Sequence, residues 1–243
     1  MRSEQLSPIS RRVHPLAQLL NSYCGLDPED FQVIHDCVGD PRAHASGAEV
    51  PNAFGFGSAH GRMIISGWGA AGKLLPDGRR QIIRLLLPSD VVGGPGLKDE
   101  GLAIVALTEL KTVDAAPLHT ALQAQPPAYA GLREAWGLAQ RAAQRRLVQH
   151  AMRLGRYSAY ERMADFLVEF YHQQRRTGML DHAAIFLPTQ EVLADLLGLS
   201  IVHVNRTLQQ MRRDRLLVHQ ATRVVIPDLT RLMSAAMAEP SLQ

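Results

Sequence analysis

The chain has 243 residues, 46% of them hydrophobic and 20% charged, with a formal net charge of +3 and two cysteines. That length allows one large domain or two small ones, each with chain enough for a real core. Two cysteines cannot build a disulfide framework, and no run approaches the ~18 apolar residues that a membrane helix needs. The polar start, MRSEQLSPISRRVHPLAQLL, has no apolar leader core, so the expectation is a cytoplasmic, reducing-compartment protein with no membrane partner. Charge is uneven: residues 1–125 sum to −2 and residues 126–243 to +5. A weakly acidic front with a basic back fits a sensing unit joined to a nucleic-acid reader.

In chain order, Pro15 to Ile34 reads as helix, with Leu16, Leu19, Leu20, Tyr23 and Leu26 on one side. From Ala45 to about Leu118 the helical period disappears and short apolar runs alternate with Gly and Pro, the pattern of a small sandwich or barrel. Gly72–Leu87 is its best hairpin, because Pro76-Asp77-Gly78 supplies a preset φ, a side-chain acceptor and a residue tolerant of positive φ. Leu102–Leu107 is a buried-strand candidate.

After Pro126-Pro127 a long helix is expected. Leu132, Trp136, Ala139, Ala143, Leu147, His150 and Leu154 recur at spacings of three and four, giving one narrow stripe. Such a stripe packs either on a symmetry mate or on the chain's own barrel, and the expectation is a homodimer. Gly155 is read as the interruption, and Tyr157–Gln174 as a second amphipathic helix through Met163, Phe166, Leu167 and Phe170.

Residues 189–213 have the offsets of a helix-turn-helix. Ala194 permits a close crossing, Gly198 permits the turn, and Val204, Leu208 and Met211 face inward. Ser200 is placed to cap the second helix, which would be the recognition helix. Val202, His203, Asn205, Arg206 and Gln209 point outward from it. Arg206 suits a bidentate bond to guanine, Asn205 suits adenine or a phosphate, and Val202 suits a thymine methyl. Thr189, Gln190 and His203 sit where helix N-termini meet phosphates. Leu216–Ile226 reads as a following hairpin, a plausible wing.

The stretch Leu187-Pro188-Thr189-Gln190-Glu191 through His203-Val204-Asn205-Arg206-Thr207-Leu208 resembles the winged helix of the CRP/FNR family of bacterial transcription regulators. Three further segments resemble the same family in its own order: Ser66-Gly67-Trp68 with Leu74–Ile82, Leu85–Asp90, and Leu154–Ala164. Ser89 stands where the family's "LPGD" has Gly. The resemblance implies an α+β chain: a jelly-roll-like β-roll sensor domain over 15–125, a dimerisation helix over 126–156 and a winged helix-turn-helix over 157–230. A tail over 231–243 would follow. It also implies a hinge near Ser158, a homodimer on a palindromic double-stranded DNA operator, and RNA polymerase as a partner.

Departures from the family narrow the signal. No arginine lies between Arg84 and Arg133, and Gly96–Leu102 holds no cyclic-phosphate anchor. Leu147-Val148 replace the Thr-Ser pair that reaches the base, so cAMP binding in the usual manner is not expected. Cys24 and Cys37 cannot form a four-thiolate iron–sulfur site and read as buried small hydrophobes, a redox pair being the lesser alternative. His14, His35, His44, His60 and His119 leave haem or a small-molecule effector open, with no cofactor predicted and no metal site. Val202 and Asn205 differ from the best-known members, so no operator carries over. No catalytic triad, phosphate loop or paired-carboxylate motif occurs, and the chain reads as a non-enzyme. Two alternatives stand beside a signal-controlled regulator. One is a ligand-independent regulator with a structural barrel. The other is a cupin-like metalloprotein, against which no His-x-His occurs among the ten histidines.

Overall fold

The computed structural model describes residues 14–51, 61–93, 102–124, 129–180, 184–220 and 223–236. The front helix divides in two, α1 (Pro15–Asn21) and α2 (Pro28–Asp36), where one was expected. Asn21 Oδ1 accepts the Leu26 N–H at 3.0 Å and closes the chain into a loop. Pro28 then holds Asp27 extended, and Asp27 caps α2 by accepting the Asp30 N–H at 2.9 Å.

Seven strands follow: β1 (Arg42–His44), β2 (Arg62–Ser66), β3 (Gly69–Leu74), β4 (Arg80–Leu86), β5 (Val91–Val92), β6 (Ala103–Ala106) and β7 (Leu110–Asp114). They form two antiparallel sheets, ordered β1-β7-β2-β5 and β4-β3-β6. Val50, Ile64, Ala71, Leu86, Val92, Ile104, Ala106 and Leu110 make one buried apolar cluster drawn from both sheets. The expected hairpin is present: Gly78 has φ 84°, Asp77 Oδ1 accepts the Arg79 N–H, and Leu75 N–H bonds Arg79 O at 2.7 Å. The β-rich region ends before Leu118, because α3 (Ala116–Gln123) has begun there with Pro117 in its first turn. Ser89, the family's glycine position, is buried at φ 92°, a region L side chains rarely adopt. Gly96–Gly101 and His60 lie outside the described residues.

The long helix α4 (Ala130–Arg156) spans 27 residues, about 40 Å at 1.5 Å per residue. It passes through Gly155, and the break falls later: Tyr157 is extended and Ser158 caps α5 (Ala159–Arg176) in a box with Glu161. The back half continues with β8 (Ala184–Phe186), α6 (Gln190–Leu197), α7 (Ile201–Arg213), β9 (Val218–Gln220), β10 (Arg223–Val225) and α8 (Leu229–Ala235). Sheet order there is β8-β10-β9. Residue 231, expected to open a tail, lies inside α8, whose Leu232 is fully buried.

Two of the apolar clusters cross between parts of the chain. Leu16, Leu20, Ile34, Met63, Val113, Leu118, Leu132 and Ala135 unite the front helices, one sheet and the start of α4. Ala70, Ile82, Leu85 and Leu87 of the roll share the cluster of α5, α6, α7 and α8. Trp68 sets its edge on Phe170 and Phe186, with centroids 5.4 and 6.3 Å apart.

Candidate nucleic-acid interface

The helix-turn-helix is built as its residue types demand. Thr189 caps α6 by accepting the Val192 N–H at 3.3 Å. Gly198 ends α6 at φ 62°, ψ 40°, and the Leu199 N–H bonds back to Ala194 O. Ser200 caps α7 by accepting the His203 N–H at 3.2 Å, and its Oγ lies 3.0 Å from His203 Nδ1. Ala194, Val204, Leu208 and Met211 are buried where the helices cross.

The outward face of α7 carries Val202, His203, Arg206 and Gln209, all exposed. Arg206 makes no hydrogen bond or ion pair with any described residue, so its five donors face solvent. Asn205 is placed differently from expectation. It is half-buried, and its Nδ2 donates to Gln190 Oε1 at 3.2 Å, so these two candidates hold each other across the motif. Thr189 is exposed, as a cap facing a phosphate would be.

Several residues at this surface escaped the sequence pattern. Ile201 is 48% exposed beside Val202 and widens the apolar part of the outward face. Arg212 bonds His219 of β9, tying the end of α7 to the wing, while the Arg223 guanidinium lies 4.3 Å over the Phe186 ring. Tyr160 donates to Asp214 Oδ2 at 2.7 Å, and its phenol is pushed up to about 12 by burial together with that carboxylate. These pairs lie up to 54 residues apart, so no local period announces them.

The stripe expected on α4 needs correction. Leu132 is fully buried against the front helices and the roll, with Trp136 and Ala139 packed on the same cluster. His150 is 8% exposed and lies beside the Ile82 backbone. Leu154 is half-buried near Gly198, and Ala143 is half-buried. A spacing of three and four here follows the chain's own core along most of its length. The large apolar residues left exposed on α4 are Leu147, Val148 and Met152, only the first of which belongs to the stripe.

Between α4 and α5 lies a buried charge cluster. Arg153, 1% exposed, donates from Nε to Asp165 Oδ2 and from Nη2 to Glu169 Oε2, both at 2.7 Å. Burial opposes its charge, but the two carboxylates outweigh it and push its pKa up. Beside it, His150 is pushed down to about 4 by burial and by the Arg153 charge, so it is neutral at pH 7.

Three of the front-half histidines have partners within the chain. His14 caps α1 through Nδ1, with its pKa lowered to about 4 mainly by burial. His44 lies 3.0 Å from the Thr112 hydroxyl, and His119 sets its edge on Trp136. Cys24 and Cys37 are free thiols, and burial pushes the Cys37 thiol up. Among the described residues there is no group of three or more His, Cys, Asp or Glu able to hold a metal, and no helix long and apolar enough to cross a membrane.

Comparison with known proteins adds to this geometry. A Crp-like helix-turn-helix domain family matches residues 161–235, covering α5 through α8. The transcriptional activatory protein AadR of Rhodopseudomonas palustris is 33% identical over 175 residues, 70% of this chain and 68% of that protein. The transcriptional activator protein FnrL of Cereibacter sphaeroides is 29% identical over 180 residues, 71% of each chain. Among solved structures, FixK2 from Bradyrhizobium japonicum superposes with a TM-score of 0.68 at 26% identity, covering 84% of this chain and all of that one. AadR and FnrL are regulators rather than enzymes, and FixK2 shares the α+β fold seen here. The chain belongs to the CRP/FNR family of transcription regulators.

Proposed function

We propose that the protein is a homodimeric, sequence-specific DNA-binding regulator that reads a palindromic operator with two copies of α7. The observation that carries this reading is the outward face of α7, where Arg206 is exposed and unpaired beside Val202 and Gln209 while the inner face is fully packed. Arg206 bonds a guanine edge, Val202 and Ile201 touch thymine methyls, and Gln209 reads an adjacent base. Thr189, Ser200 and His203 face phosphates at the two helix starts. Asn205 acts with Gln190 as one polar unit, oriented before DNA arrives. Dimerisation falls to the exposed Leu147, Val148 and Met152 on α4, with Ala143 and Leu154 at the margins.

The domains in this reading are a β-roll over 15–125, a dimerisation helix over 126–156 and a winged reader from 157 through α8. The named activity of AadR and FnrL supports activation, with RNA polymerase as partner, in the cytoplasm. Signalling by cAMP in the usual manner is disfavoured by Leu147 and Val148, which lie exposed on α4 with no polar group to offer a base. An apolar cluster that includes Val50, Ile64, Leu86 and Leu110 is drawn from both sheets of the roll, and on the same face Arg62 donates to the Thr112 hydroxyl at 2.9 Å with His44 3.0 Å from it. A second reading is a regulator whose roll is structural and whose DNA binding needs no small molecule.

Selection of random duplex DNA by the purified, ligand-free protein, followed by sequencing, tests the function. The expected product is a palindrome with half-sites about one helical turn apart, roughly 34 Å between centres. Recovery without any added ligand supports the structural-roll reading. No enrichment at low salt, with or without cell extract, would sink the DNA-reading assignment.

A further inference from the structure

The reader meets the β-roll at the C-terminal end of α6, the first helix of the helix-turn-helix, as well as where Trp68 packs on Phe170 and Phe186. A helix leaves its last four carbonyls without internal partners. Here two of the four are served from outside the reader. Gln81 of β4 donates from Nε2 to Asp195 O at 2.9 Å and to Leu196 O at 3.4 Å, while Arg162 of α5 donates to Leu197 O at 3.1 Å. Next to Gln81, Arg80 places Nε and Nη2 each 2.7 Å from Asp195 Oδ2, with both side chains about one-third exposed. Beneath these polar contacts Ile82, Leu85 and Leu87 share an apolar cluster with Leu193, Leu196 and Leu197.

The same strand also lies against the long helix, with the buried His150 of α4 beside the Ile82 backbone. β4 is therefore the middle piece between α4 and the reader. Docking on this side leaves the opposite face of the motif open, since Val202, His203, Arg206 and Gln209 remain exposed.

We infer that Arg80, Gln81 and Asp195 form a brace through which the β-roll sets the position of α7 relative to α4, so that the ligand-free chain stands ready to read DNA. The inference rests on the DNA-reading function proposed above. In a two-fold dimer each recognition helix meets its half-site only if the separation of the two is held. Tilting one reader against its α4 changes that separation, whereas a lone half-site is indifferent to it. Arg80, Gln81 and Asp195 are thus positioning residues that act through α6 and touch no base.

The test compares Arg80→Ala, Asp195→Ala and the charge exchange Arg80→Asp with Asp195→Arg on two probes: the duplex recovered by selection, and the same duplex cut to one half-site. Each single variant is expected to bind the full site about tenfold more weakly, with half-site affinity unchanged, and the exchange to recover most of the loss. Equal loss on both probes would show damage within the reader and overturn the brace. Unchanged or tighter full-site binding would overturn it too, the latter by making the contact a restraint. Hydrogen exchange of residues 190–198 in the DNA-free protein separates this proposal from the function it rests on. Faster exchange in the single variants, reversed in the exchange, upholds the brace even if selection returns no DNA. Unaltered exchange rejects the brace even if DNA reading stands.

Discussion

Arg206 and Asn205 are neighbours in sequence, yet they stand in different chemical positions. Arg206 is an exposed guanidinium with no internal bond to give up, so its donors are available to a base edge. Asn205 has spent one amide donor on Gln190. Replacing Arg206 with Ala should cost ~1–3 kcal/mol of operator affinity and relax discrimination at one base pair, with the folded state untouched. Competition binding with single-pair operator variants checks this, and uniform weakening on all sequences would instead make Arg206 a phosphate contact. His150 shows a residue-scale effect on stability. Its folded pKa of about 4 lies below the ordinary 6.5, because burial and then the Arg153 charge disfavour the imidazolium. The unfolded chain therefore binds a proton first on acidification. The stabilisation is fully present above pH 6.5 and lost progressively as pH falls toward 4. His150→Gln keeps a polar group beside the Ile82 backbone but cannot titrate. Urea midpoints should then fall less between pH 7 and pH 5 than in the parent, with His14, His44 and His172, all lowered by burial, contributing to the part that remains.

At the scale of elements, the helix-turn-helix was fully legible because it is a local structure. Its close crossing, its turn and its cap each demand one residue type at a fixed offset, and Ala194, Gly198 and Ser200 supply them. Gly198 carries the sharpest consequence. At φ 62° an added Cβ is strained in the backbone, and it would lie 3.4 Å from Leu154 Cδ2 and 3.6 Å from the Arg162 guanidinium. Gly198→Ala should destabilise the protein by about 1–2 kcal/mol, read as a lowered urea midpoint at unchanged slope. The front helix was less legible, since apolar residues at Leu16, Leu19, Leu20, Tyr23 and Leu26 continue the period across the loop. Asn21 and the Asp27-Pro28 pair interrupt it with side-chain and steric effects that hydrophobic periodicity does not register. Ser89 was noticed in sequence as a departure from the family's glycine, but only its φ of 92° shows that the family's backbone is kept in spite of it. The buried Arg153–Asp165–Glu169 cluster joins two helices across 16 residues, too far apart for any single-helix pattern to reveal.

For the molecule as a whole, the division between self-packing and partner-packing decides the assembly. α4 buries Leu132 against the front core and His150 against β4, and presents Leu147, Val148 and Met152 to solvent at 46%, 66% and 49% exposure. Charges placed there should prevent association while sparing the fold: the double variant Leu147→Glu with Val148→Glu is expected to sediment as a monomer. Its full-site affinity should drop toward that of a half-site, with a thermal midpoint close to the parent's at equal protomer concentration. A variant that stays dimeric would move the interface elsewhere. From the chain alone came the order of β-roll, long helix and winged reader, the hairpin at Pro76-Asp77-Gly78, the helix-turn-helix offsets and the family. The hairpin and the helix-turn-helix follow from φ requirements, caps and periodicities that act over a few residues, whereas the order of units and the family follow from the resemblance of those segments to CRP/FNR regulators. Only the tertiary structure decided which side of α4 is free, that Asn205 is tied to Gln190, and that β4 holds the reader through Arg80 and Gln81. Each of these is set by which distant surfaces meet, and a one-dimensional pattern of apolar and polar residues records only that a position is buried, not what buries it.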